Sequence, residues 1–175
     1  NLVEAASWYE KSAQQGHPGA QYELGRMLMM GLGVEKSLVA AHYWTLKSAQ
    51  NGVELAQTMA AGNFYFGRGV LQNYVEARKW ATKAAEKGSK SALFLLAAMH
   101  LSGKGVTKDS VQAHVFFNLA AAAGDANAVE QLRFLSERLS TSELAEAQAL
   151  AASWKIGNPL PRRAARAKPA STRML

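Results

Sequence analysis

The chain has 175 residues, 49% of them hydrophobic, and a formal net charge of +7. It contains no cysteine, which excludes disulfide frameworks, thiolate metal sites and cysteine nucleophiles. No uninterrupted apolar run reaches the ~18–20 residues needed to span a bilayer, and the length suggests one domain with a substantial core. The charge is unevenly placed. Without residues 162–175, 15 basic residues stand against 13 acidic ones. The basic balance therefore belongs to the C-terminal end and not to the body.

Residues 4–16 match residues 40–52 at every landmark: an alanine at Ala5 and Ala41, a tryptophan at Trp8 and Trp44, then a lysine, Ser-Ala and a closing glycine. They read as the second half of a unit whose first half is expected upstream of Asn1, with any targeting segment, so 1–19 is a partial unit. Three full units follow at 20–55, 56–91 and 92–127. Gly16, Gly52, Gly88 and Gly124 recur every 36 residues, as do Ala20, Ala56, Ala92 and Ala128. A fixed period of this size marks a stacked repeat array.

Each unit reads as two helices. Helix A starts near the register alanine and ends at the first glycine of a Gly-x-Gly-Val loop, at Gly31, Gly67 and Gly103. Glycine there supplies the left-handed conformation that closes a helix. Val34, Val70 and Val106 give each loop an apolar anchor. Helix B begins behind Ser37, Asn73, and Asp109 or Ser110, which are N-capping residue types. It carries an aromatic at Trp44, Trp80 and Phe116. Small residues at Ala41, Ala77 and Ala113, and at Ala49, Ala85 and Ala121, let neighbouring helices approach closely.

Residues 128–155 read as a C-terminal cap of two helices. The first spans 128–139. The second opens on a capping box, Ser140 to Glu143, and carries an apolar stripe of Leu144, Ala147, Leu150, Ala151 and Trp154. Residues 156–175 contain prolines and basic side chains without periodicity and read as a flexible tail.

The pattern Ala20, Leu24, Gly25, Gly31, Gly33, Val34, Ala41, Trp44, Ala49, Gly52 resembles the Sel1-like repeat, a relative of the tetratricopeptide repeat with a longer loop between its helices. The second unit departs with Ala60-Ala61 at the Leu-Gly positions. The third has Leu96-Ala97, and Phe116 in place of tryptophan. The resemblance covers roughly residues 4–155 and implies an all-α, right-handed α-solenoid. It implies an adaptor that docks partner proteins on a concave surface lined by the A helices, with no catalytic role.

Stacking explains the repeated glycines, alanines and aromatics, which leaves other positions as binding candidates. Met29, Tyr65 and Leu101 share one register, with Met30 and Phe66 at the next. Together they form a candidate apolar strip along the A helices, suited to an amphipathic helix or an extended peptide. The alternative is that they pack between units. Arg26 and Asn63, with Gln21 and Gln57, are candidate polar rim residues. The expected partner is another protein or peptide.

The four histidines, His17, His42, His100 and His114, do not cluster with acids at zinc-ligand spacing, so neither metal nor cofactor is expected. The Gly-x-Gly-Val loops lack the third glycine and the setting of a nucleotide-binding fingerprint. Two rival classes stay open. Arg162, Arg163, Arg166 and Lys168 could touch nucleic acid or an anionic lipid surface. A hydrolase would require a pocket joining His100 with carboxylates.

Overall fold

The computed structural model describes residues 1–164, which form nine helices and no strand. They are α1 (Leu2–Gln14), α2 (Pro18–Met30), α3 (Leu38–Gln50), α4 (Glu54–Phe66), α5 (Tyr74–Glu86), α6 (Lys90–Ser102), α7 (Ser110–Ala122), α8 (Ala126–Ser136) and α9 (Thr141–Ser153). Each helix from α1 to α8 packs on its neighbours in sequence, α4 also touches α6, and α9 packs on α7. The result is the helical solenoid expected from the period.

Local chemistry accounts for the helix ends. Gly31, Gly67 and Gly103 close α2, α4 and α6 at φ 73°, 69° and 76°. The second glycine of each loop has a different task. Gly33, Gly69 and Gly105 lie flat on the first turn of the preceding B helix, at Leu2, Leu38 and Tyr74, where a Cβ would strike the neighbouring helix. The loop is thus the seam between units, and both glycines are required for separate reasons. Ser37, Asn73 and Asp109 cap α3, α5 and α7 through their side chains. Ser140 and Glu143 form the full capping box of α9. The α8 helix begins earlier than expected, because Asp125 caps it by accepting from Asn127 and Ala128, and it ends at Ser136.

The core alternates alanine with large side chains. Ala41, Ala77 and Ala113 are fully buried, and Trp80 and Phe116 fill the wider gaps between helices. One cluster runs from Ala49 to Leu160, and a smaller one gathers Ala13, Ala20 and Leu24 with Leu28 and Trp44.

Residues 155–163 depart from the flexible tail expected from 156 onward: they form a strap across the B-helix side of α5 and α7. The Gly157 N–H donates to the Glu86 carbonyl at 2.7 Å, and Leu160 is buried at 9% exposure. Gln112 grips the strap backbone twice, donating to the Pro161 carbonyl and accepting from the Arg163 N–H, both at 2.9 Å. The Arg163 guanidinium lies against Glu146 in a two-point pair at 2.7 and 2.9 Å and reaches Asp109 at 3.3 Å. None of these partners is near Arg163 in sequence, so composition alone reads the segment as loose. Residues 165–175 lie outside the described residues.

Candidate functional site

Two surfaces combine side chains that stacking does not require. The first is on the A helices. Tyr22, Arg26 and Met29 on α2, Thr58, Gly62 and Tyr65 on α4, and Phe94, Ala98 and Leu101 on α6 occupy the same three repeat positions. Their spacing of four and three residues places them on one stripe of each helix, and all nine are half-buried. A Cβ on Gly62 would meet nothing within 4 Å, so the middle of the stripe is open.

The expected strip residues divide into two groups. Met30 and Phe66 stand out at 59% and 58% exposure. Arg68 lies 4.7 Å over the Phe66 ring, and Arg26 pairs with Glu23 at 3.0 Å. Tyr65 is partly structural: it meets Tyr74 edge-on at 5.2 Å, and Lys104 of the next loop lies 5.5 Å over both rings. Tyr65 and Leu101 pack against the main core with part of their surface outward.

Three polar candidates belong to the interior and not to a rim. Asn63 is 2% exposed and meets His42 Nδ1 at 3.4 Å. Gln21 and Gln57, each 4% exposed, donate to the Ala13 and Ala49 carbonyls at 3.2 Å. These amides stitch an A helix to the B helix before it. The 36-residue spacing of Gln21 and Gln57 signals that these two serve the stack, whereas Asn63 stands where the other units hold Met27 and Met99.

The second surface is a groove of about 750 Å³ on the B-helix side. Its floor is Leu96, His100, Val106 and Phe116; one wall is α5 and the other is the strap. Val75, Arg78, Lys79 and Lys83 line the α5 wall, and Leu160 and Arg162 line the strap wall. Repeat position alone does not mark these residues, because the groove needs the strap to complete it.

Three of the histidines, His42, His100 and His114, are members of the packing, and His17 is exposed at the start of α2. Burial lowers the pKa of His42, His100 and His114; in His100 the charge of Asp109 partly offsets this. His114 meets Ser136 at 3.2 Å, and His100 leans on Phe116 at 5.5 Å. The groove does bring His100 together with Asp109 and Glu86, the grouping a hydrolytic reading asks for. Asp109, however, is committed to capping α7 and to Arg163. Among the described residues no group of His, Asp and Glu could hold a metal ion. Arg163 is likewise engaged, while Arg166 and Lys168 lie outside the described residues. Among those described, no helix is long and apolar enough to cross a membrane.

A family model described as Sel1 repeat matches residues 1–17, 18–53, 55–89 and 90–125. Among solved structures, a protective antigen of uropathogenic Escherichia coli displaying an SLR fold is 33% identical, with a TM-score of 0.80 over 86% of this chain and 32% of its own. A Sel1 repeat protein from Oxalobacter formigenes is also 33% identical, with a TM-score of 0.72 over 75% of this chain and 54% of its own. The chain thus spans about a third of the first and about half of the second. A comparison with curated proteins gave no match.

Proposed function

From the premise that the chain belongs to the Sel1 repeat family, whose members are in general protein-interaction scaffolds, we propose that it is a non-enzymatic adaptor docking a partner segment along the A-helix stripe. The observation that carries this reading is the stripe itself. Nine equivalent positions are half-open, and the adjoining Met30 and Phe66 are large, apolar and exposed without serving the stack. Methionine and aromatic side chains give an adaptable, low-entropy contact surface. The open space at Gly62 leaves room for a partner side chain. An amphipathic helix or an extended peptide suits such a trough.

The test is a binding titration of a purified partner against Phe66→Ser, Met30→Ser and Tyr65→Ala. Affinity should drop by about tenfold or more for at least one of them, as for a hot-spot residue. The exposed Phe66 and Met30 variants should keep the parent melting temperature. Unchanged affinity in all three folded variants would overturn the assignment of this face.

A further inference from the structure

We propose that the groove between α5 and the C-terminal strap is a second docking site, on the opposite class of helices, that takes an extended acidic peptide segment bearing an aliphatic side chain. The repeat comparison isolates the feature. Arg78 stands where the other B helices hold Ala6, His42 and His114, and Lys79 where they hold Ser7, Tyr43 and Val115. Arg78 and Lys79 are therefore particular to α5, whereas Lys83 keeps the lysine found at Lys11 and Lys47.

Charge and shape agree on the occupant. Lys79 is paired with Glu76 at 3.2 Å, but Arg78, Lys83 and Arg162 form no ion pair among the described residues. Arg78 and Lys83 line one wall and Arg162 the other, so an acidic backbone segment between them meets cations on both sides. Between the walls the floor combines the apolar Leu96, Val106 and Phe116 with the half-buried His100; of the two carboxylates that also line the groove, Glu86 and Asp109, the latter is taken up by Arg163. That places an aliphatic side chain downward and carboxylates outward, the alternation of an extended strand.

The strap shows that this side of the solenoid accepts extended chain. It runs from the C-terminal end of α5, at Glu86, to the N-terminal end of α7, at Asp109. It sinks one aliphatic side chain, Leu160, and holds backbone through the Gln112 amide. The strap engages acids with Arg163; the open groove beside it presents the opposite charge. A second segment laid there would be the acidic counterpart of the strap.

The probe is a short fluorescein-labelled peptide of alternating Glu or Asp and Leu, followed by anisotropy against the whole chain. Saturable binding is expected, with affinity reduced about tenfold or more in the double variant Arg78→Glu/Lys83→Glu. These side chains are exposed, so the melting temperature should hold. Replacing the leucines of the probe with serine should weaken binding several-fold. Phe66→Ser, on the A-helix face, should leave it unchanged, which separates failure of this site from failure of the other. Absence of binding at low salt, equal binding by the double variant, or equal binding of a single-stranded oligonucleotide of the same charge would each overturn the proposal.

Discussion

The α5 and α7 helices occupy the same place in successive units, and they differ mainly on the outward side, with the buried Ala81 and Phe117 an inward exception. Inward, Ala77, Trp80 and Ala84 of α5 correspond to Ala113, Phe116 and Ala120 of α7, and all six are buried. Outward, α5 presents Val75, Lys79 and Lys83, whereas α7 has Val111, Val115 and Leu119. The α7 trio is buried at 2%, 0% and 8% exposure, while Val75 is 59% exposed. The α9 helix packs on α7, and among the described residues no helix packs in that way on the outward side of α5. The repeat therefore dictates the inward half of each B helix and leaves the outward half to whatever lies beyond it.

Exchanging outward residues between the two helices tests this most severely. Val115→Lys writes the α5 residue into α7 and places a charge at a position that is 0% exposed. The cost should exceed about 4 kcal/mol, in the range reserved for unpaired buried charges. The reciprocal Lys79→Val should change stability by no more than about 0.5 kcal/mol. Urea denaturation of both variants reads the asymmetry. Equal costs would mean that α9 does not close the outer side of α7.

Arg163→Ala should act more moderately. It removes a two-point pair with Glu146 and the contact with Asp109, and it loosens the segment that covers Gln112. The partners are partly exposed, at 13% for Arg163 and 39% for Glu146, so solvent screens the pair. A loss of about 1–2 kcal/mol is expected. Tryptic cleavage after Lys155 or Arg162 should accelerate, while cleavage in α5 stays slow. An unchanged digestion pattern would show that Leu160 and the Gln112 bonds hold the strap alone.

The sequence makes the array legible because stacking is periodic. The units, both glycines of each loop, the helix-B caps and the aromatic positions all repeat, and each has a local or nearest-neighbour cause. The strap is not periodic. It depends on Arg163 meeting Glu146 and Asp109 across the fold, a relation that spacing does not display. Asn63 was misjudged for a related reason: a single polar residue on an A helix looks like surface until His42 is found facing it. The cap expected at 128–155 has a second signal in the sequence: Val115 and Leu119 of α7 stand where α5 holds Lys79 and Lys83, and outward apolar residues call for a covering helix.

Acidification should weaken the fold through both helix neighbourhoods. His42 in α3, His114 in α7 and His100 beneath the groove have pKa values lowered by burial. Their unfolded counterparts titrate near the ordinary value of about 6.5. Between the lowered folded values and 6.5, the unfolded chain binds more protons, so stability rises with pH. The contribution is fully present above that window and is lost as pH falls through it. Urea midpoints at neutral and mildly acidic pH should differ accordingly, with His114→Gln and His42→Gln each reducing the difference. A flat profile would contradict the buried, neutral assignment.

The smallest effect is the most discriminating, because it uses one residue type at one repeat position. Val39 and Val75 are 70% and 59% exposed, and Val111 is 2% exposed. Truncation to alanine at the first two should cost no more than about 0.5 kcal/mol. At Val111 the same change removes buried methyl groups and leaves a cavity against α9, which should cost about 1–3 kcal/mol. In the anisotropy titration the order inverts: Val75→Ala, at the edge of the groove, should weaken the acidic probe, whereas Val39→Ala should not. A position silent in stability but active in binding is one the stack left free. If Val39 and Val75 behave alike in both measurements, the α5 face has no role beyond the repeat.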